Sequence, residues 1–135
     1  MKIEIEEIKI FNGEKIIDIG RIISKRSMPI EGYSINDFDA DVYIKFENKI
    51  LLFNVYPTFE GDILNCYIQD CFEKVDSFMP CSFKEELNNF INKKIITTNV
   101  SINENLHQYK ISFNFNTINN LDLLVIDSDE IVIKY

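Results

Sequence analysis

The stretch DVYIKFENKILLFNVYP, residues 41–57, decides the fold. Apolar side chains alternate with others on both sides of Asn48 and Lys49, so a reversal there would bring two apolar rows onto one face. The facing pairs would be Phe46 with Leu51, Ile44 with Phe53, and Val42 with Val55. Pro57 ends the second strand, because proline has no N–H to donate to a ladder. The sequence therefore predicts a β-hairpin with one wholly apolar face.

Two more strands are predicted ahead of this hairpin. Residues 2–10 are typical of a strand, although the apolar phase changes at Glu6 and Glu7, where a β-bulge would restore one apolar face. The Asn12-Gly13 dipeptide is the strongest short-range hairpin signal, and it leads into a second strand over residues 15–23. The long connection over residues 24–39 contains Pro, Gly and several apolar residues. It either packs onto the core or forms an exposed binding loop.

The apolar period changes after residue 60. Apolar residues recur there at the spacing of one helix face, which predicts a helix over residues 60–78. They are Ile63, Leu64, Tyr67, Ile68, Cys71, Phe72 and Val75. The alternative is a strand that uses Leu64, Cys66 and Ile68, but the pattern continues past Cys71 and its length favours the helix.

A second, shorter helix is predicted over residues 82–92. Ser82-Phe83-Lys84-Glu85 has the form of a capping box, and the apolar residues that follow it share one helix face. Four strands follow, over residues 94–102, 108–117, 121–126 and 131–135. The order β-β-β-β-α-α-β-β-β-β predicts a single α+β domain, residues 1–135, in which one longer and one short helix pack on one face of an antiparallel sheet.

Composition and charge restrict the function classes. The 135-residue chain has a formal net charge of -8 and a pI near 4.6. Such a surface disfavours binding to nucleic-acid phosphates and anionic lipid, and favours a basic protein partner. No apolar run is long enough to cross a membrane, and carboxylates interrupt the first apolar run, which argues against a signal peptide. We therefore expect a cytoplasmic protein with three reduced cysteines, and the Ile-, Asn- and Lys-rich composition suggests a bacterium.

The sequence contains no motif typical of catalysis. Its four glycines are scattered, its one histidine, His107, borders a predicted turn, and its cysteines form no Cys-x-x-Cys pair. Cys81 has the best claim among the cysteines to a lowered pKa, because it precedes a predicted helix. Asp37, Asp39 and Asp41 would project from one face of an extended chain and could bridge a divalent cation, but a solvated acidic strand edge is the favoured interpretation. We expect no enzyme, no cofactor and no resident metal.

The chain resembles the small acidic immunity proteins of bacterial contact-dependent and polymorphic toxin systems. The resemblance lies in size, composition, the absence of catalytic motifs, and acidic segments such as Asp-Phe-Asp-Ala-Asp at 37–41. It implies a cytoplasmic inhibitor that binds a cognate basic, nuclease-like toxin domain and places carboxylates where nucleic-acid phosphates would lie. The partner-binding residues it suggests are Asp37, Asp39, Asp41, Asp127, Asp129 and Glu130, with Tyr33, Tyr43 or Tyr56 as aromatic anchors.

Two other classes remain open. A structural or regulatory protein that forms homo-oligomers would associate through an open strand edge or through the apolar residues of the 24–39 connection. A small enzyme would use Cys81, His107 or the three aspartates at 37, 39 and 41.

Overall fold

The computed structural model describes residues 1–27, 32–116, 118–126 and 129–135. Its strands form one sheet of six, in the order β1-β5-β4-β3-β2-β6, and one sheet of four, in the order β10-β9-β8-β7. All neighbouring strands in both sheets are antiparallel. The strands are β1 (Lys2–Ile3), β2 (Asp18–Ser24), β3 (Asp41–Lys45), β4 (Ile50–Thr58), β5 (Gly61–Gln69), β6 (Phe78–Ser82), β7 (Thr97–Asn103), β8 (Gln108–Asn114), β9 (Leu121–Val125) and β10 (Val132–Lys134).

The α+β prediction is wrong, because the described residues are mostly in strands and no pair of helices among them packs on a sheet. In the part of the chain that the structure describes, the helical segments are short 3-10 turns. They cover Ile5–Phe11, Lys25–Ser27, Ile35–Asp37 and Asn88–Phe90. None of the described helices is long and apolar enough to cross a membrane. One continuous cluster of buried apolar side chains includes residues of both sheets.

The central hairpin is confirmed, with a register two residues from the predicted one. Val42 pairs with Phe53 and Ile44 with Leu51, and the chain reverses over Glu47 and Asn48. A shift of two residues leaves every side chain on its predicted face, so the apolar face is preserved. The earlier reversal places Phe46 beside the turn, where its ring stacks on Phe11 at a centroid distance of 4.4 Å.

The predicted helix over residues 60–78 is instead strand β5 and a connection. β5 pairs with β4 along its whole length, from Ile50 with Gln69 to Thr58 with Gly61. Leu64 and Cys66 are buried in the core, as the alternative strand interpretation requires. Backbone pairing with β4 outweighs the local helical period, and the apolar residues beyond Cys71 lie in the connection to β6.

The N-terminal hairpin is also wrong. Only Lys2–Ile3 forms a strand there, and it pairs with β5 rather than with the segment after Gly13. The change of apolar phase at Glu6 and Glu7 marks the 3-10 helix Ile5–Phe11, which buries Ile8 and Phe11. The following strand exists as β2, and it pairs with β3 and β6.

The short helix predicted over residues 82–92 forms turns and the 3-10 helix Asn88–Phe90. Of the four apolar residues on the predicted helix face, Phe83, Leu87 and Phe90 are buried and Ile91 is partly buried, so the pattern identified core positions and not the backbone form. The last four predicted strands are confirmed as β7 to β10, which make up the second sheet.

Candidate functional site

The outward face of the six-stranded sheet carries a cavity of 640 Å³. Strand alternation turns Arg21 and Phe53 to the core and directs Ile22 and Leu52, the residues next to them in sequence, to the opposite face, where they form the cavity floor. Apolar residues also form its walls, namely Phe38, Phe72, Val75, Phe78, Met79 and Pro80. Four carboxylates line it as well: Asp37, Asp39, Asp41 and Glu73. The cavity size is within the range of about 300 to 1,000 Å³ that is usual for ligand sites.

One wall of the cavity is the connection between β5 and β6, residues 70–77. The Phe72 ring packs edge-on against Tyr43 on the sheet, with centroids 4.8 Å apart and an interplanar angle of 79°. Asp70 forms an exposed ion pair with Lys49 at the start of the connection. At its end, the Lys25 N–H donates to the carbonyl oxygen of Ser77 over 2.9 Å. The connection is therefore attached to the sheet at three points.

The opposite wall is the segment that leads into β3. Asp37 belongs to the 3-10 helix Ile35–Asp37 and caps it, because the Ser34 N–H donates to Asp37 Oδ2 over 2.7 Å. The Phe38 ring lies tilted between Tyr33 and Phe83, with centroid distances of 5.7 Å and 5.9 Å. These contacts fix the backbone from which Asp37, Asp39 and Asp41 project.

Arg21 is buried beneath this wall, with 1% of its surface exposed. Its Nε donates to the carbonyl oxygen of Ile35, its Nη1 to that of Ala40 and its Nη2 to that of Ile131, each over 2.6 Å. Burial lowers the pKa of the guanidinium to about 10, which leaves it a cation at neutral pH. Through these hydrogen bonds, Arg21 links the backbone on both sides of Asp37 to Ile131, which directly precedes β10 of the second sheet.

Three of the predicted partner-binding carboxylates balance this buried cation. Asp39, Glu130 and Asp41 each act to raise the pKa of Arg21, against the effect of burial. Burial also raises the pKa of Asp41 itself, partly offset by Arg21 and reinforced by Asp39. These three acidic residues therefore interact electrostatically with the buried guanidinium of Arg21.

Glu73 differs from the other acidic residues of the cavity. It lies on the 70–77 wall and is exposed. Among the residues that the structure describes, none forms a hydrogen bond or an ion pair with its carboxylate. The carboxylate of Glu73 therefore faces solvent without an ion pair or hydrogen bond to any described residue.

The three predicted aspartates line one cavity, whereas Asp129 and Glu130 are not among its lining residues. Asp129 is exposed and precedes Glu130, beside the segment whose carbonyl oxygen binds Arg21. Asp127 lies outside the described residues, as do Met28 and Ile30 of the 24–39 connection.

The three predicted aromatic anchors differ in accessibility. Tyr33 is 52% exposed and touches the cavity wall through Phe38. Tyr56 is 63% exposed on the same sheet face as Leu52, four residues and roughly 13 Å along β4. Tyr43 is 1% exposed and its hydroxyl donates to Asp18 Oδ2 over 2.9 Å, so it does not fit the role of an anchor.

Sequence reasoning missed Glu73 and the aromatic wall, because it assigned residues 60–78 to a helix. The structure identifies this surface through Val75 and Phe78, which are 47% and 48% exposed beside the cavity. Large apolar side chains that stay exposed around one concavity are typical of an interaction surface.

Of the residues that the sequence suggests for an enzyme, Cys81 and His107 are not among the lining residues of the cavity. Burial, followed by the charge of Asp18, raises the pKa of Cys81, which is contrary to the expected lowering. His107 has a positive φ of 50° in the β7–β8 turn, and its Nδ1 lies 3.2 Å from the Asp62 carbonyl oxygen. Over residues 1–27, 32–116, 118–126 and 129–135, no cluster of His, Cys, Asp and Glu side chains is arranged to hold a metal ion.

Comparisons of the chain with protein-family models, with curated proteins and with solved structures find no match.

Proposed function

We propose that this chain is an acidic binding protein that neutralises a basic, nuclease-like bacterial toxin domain by direct binding, as an immunity protein does. The observation that carries the proposal is the cavity on the outward sheet face, where four carboxylates surround an apolar floor with exposed Val75 and Phe78 at its edge. Interfaces draw most of their binding energy from such apolar centres, and surrounding charge selects the partner.

Net charge supports the same proposal. A formal charge of -8 attracts a cationic partner over long distances and accelerates its association, an effect that salt weakens. Apart from the buried Arg21, the basic residues nearest in sequence to the cavity are Lys25, Arg26 and Lys74, and none of the four is among its described lining residues. The cavity is therefore an acidic concavity on an acidic protein.

The test is capture of partners by the tagged chain from its own organism at low and moderate salt, with identification by mass spectrometry. The proposal predicts one stoichiometric basic protein that is toxic when expressed alone and harmless when this chain is co-expressed. Capture of no protein, or of a partner whose toxicity this chain does not relieve, would contradict it.

Self-association is a second candidate function, because strand β7 is an uncharged edge. Its sequence, TTNVSIN, contains no charged residue and no proline, which are the usual means of blocking edge-to-edge pairing. The 3-10 helix Ile5–Phe11 contacts β7, and Thr98 Oγ1 donates to Asn12 Oδ1 over 2.7 Å, so these residues cover the strand near Thr98. Ser101, farther along β7, is exposed. Sedimentation of the wild type and of Ser101→Lys tests this candidate. A dimer that the lysine disrupts would support it, and a monomer at all concentrations would exclude it.

A further inference from the structure

The cavity combines two groups that recognise the same chemical species. Three aromatic rings, Phe38, Phe72 and Phe78, line it together with the four carboxylates. A guanidinium is planar, binds carboxylates through paired N–H donors and stacks on aromatic faces, whereas an ammonium is a compact and strongly hydrated charge. An apolar floor suits the methylene stem of a long cationic side chain.

We infer that this cavity is the binding site for an arginine side chain of the basic partner, an inference that rests on the proposed function. The stem lies along Ile22 and Leu52, and the guanidinium lies between the two acidic walls. At 640 Å³ the cavity has more room than one side chain requires, so residues that flank the arginine also enter it.

Glu73 is the carboxylate best placed to pair with the incoming guanidinium. Asp39 and Asp41 already act on the buried Arg21, and Asp37 already accepts the Ser34 N–H. Glu73 has no such contact among the described residues, so it can form a new ion pair without giving up an old one. Its exposure also makes Glu73→Gln a change that leaves the core intact.

The test uses the whole chain without a partner. N-butylguanidinium, N-butylammonium and 1-butanol are titrated separately while methyl resonances of Ile22, Leu52 and Val75 are followed by NMR. The guanidinium is expected to shift these methyl groups and to bind about five- to tenfold more tightly than the ammonium, the net contribution of about one ordinary hydrogen bond. Glu73→Gln should weaken guanidinium binding by a similar factor.

The matched control is Glu60→Gln, an exposed carboxylate in the β4–β5 turn, outside the cavity lining. It should leave guanidinium binding unchanged. Equal affinity for the two cations, or equal effects of the two variants, would overturn the arginine pocket. So would the absence of any methyl shift in a chain that still captures and neutralises a toxin, a result that would leave the proposed function standing. Guanidinium binding in a chain that captures no partner would contradict the proposed function alone.

Discussion

At the scale of single residues, the burial of a charged residue, Arg21, requires an explanation. It lies on the core side of β2 between Ile19 and Ile23, at a position where alternation calls for an apolar side chain. Its guanidinium donates to three carbonyl oxygens, and the farthest acceptor, that of Ile131, is 110 residues away in sequence. A charged residue at a core-facing position of a predicted strand indicates a buried hydrogen-bond network. The sequence of that strand alone does not identify the acceptors, because one of them is 110 residues away.

Replacement of Arg21 should be strongly destabilising. We expect Arg21→Met to lower the free energy of unfolding by about 3 kcal/mol or more, because two buried carbonyl oxygens and one partly buried carbonyl oxygen lose their donors. Arg21→Lys should recover only part of this loss, since an ammonium lacks the planar fork. Urea denaturation measures both variants, with exposed Arg26→Met as the control. A cost below about 0.5 kcal/mol for Arg21→Met, the usual range of a surface change, would contradict this account.

The raised pKa of Asp41 predicts how the stability of the chain changes with pH. Burial raises its pKa above the ordinary 3.8, so the folded chain holds this proton more tightly than the unfolded chain does. Its contribution to stability is greatest below pH 3.8 and is lost as the pH rises through the folded pKa. Asp41→Asn should therefore gain stability relative to the wild type as the pH rises from 3.8 toward neutrality.

Unfolding of the two chains in urea at several pH values measures this difference. The exposed Asp76→Asn variant, measured in the same way, corrects for the change in net charge. A stability difference between Asp41→Asn and the wild type that falls with rising pH would show that Arg21 outweighs burial at Asp41.

At the scale of elements, β2 meets β6 so closely that only glycine fits at position 20. A Cβ there would collide with the backbone carbonyl oxygen of Cys81 and lie 2.6 Å from the Tyr43 hydroxyl oxygen. Tyr43 crosses over Gly20 to reach Asp18, whose other carboxylate oxygen accepts from Ser82 Oγ over 2.5 Å. These contacts join β2, β3 and β6 on the cavity side of the sheet.

Gly20→Ala should therefore destabilise the chain by about 2 kcal/mol or more, a typical cost of forced overpacking against backbone. Thermal or urea unfolding measures the change, and Ser24→Ala in the same strand is the control. Wild-type stability in Gly20→Ala would mean that β2 and β6 are farther apart than the structure has them.

Sequence patterns predicted correctly those elements whose form follows from the spacing of apolar residues within one segment. Alternation located the central hairpin, β2 and the last four strands, and the helical spacing over residues 82–92 identified Phe83, Leu87 and Phe90 as core residues. At β5 the helical spacing misleads, whereas the alternation of Leu64, Cys66 and Ile68 fits the strand that pairs with β4. The same error affected the prediction of the cavity. Its three aspartates were predicted as site residues, whereas Glu73 and Phe72 were assigned to the predicted helix over residues 60–78, which is a strand and a connection.

At the scale of the whole molecule, acidic charge and exposed apolar surface coincide at more than one place. Besides the cavity, the tip of the β4–β5 hairpin exposes Phe59 completely, and His107 in the neighbouring β7–β8 turn lies against Gly61 of this tip. Glu60 lies at the same tip. The cavity and the tip are therefore competing surfaces for a basic partner, and one pair of charge reversals separates them.

The most direct measurement is the affinity of the captured partner for the wild type, Glu73→Arg and Glu60→Arg. Both variants change the net charge equally, so any loss common to both reports long-range attraction alone. We expect Glu73→Arg to weaken binding by about thirtyfold or more, since a like charge replaces an opposite one within the interface. Glu60→Arg should stay within about threefold of the wild type. Equal losses, or a larger loss for Glu60→Arg, would contradict the claim that the cavity binds the partner.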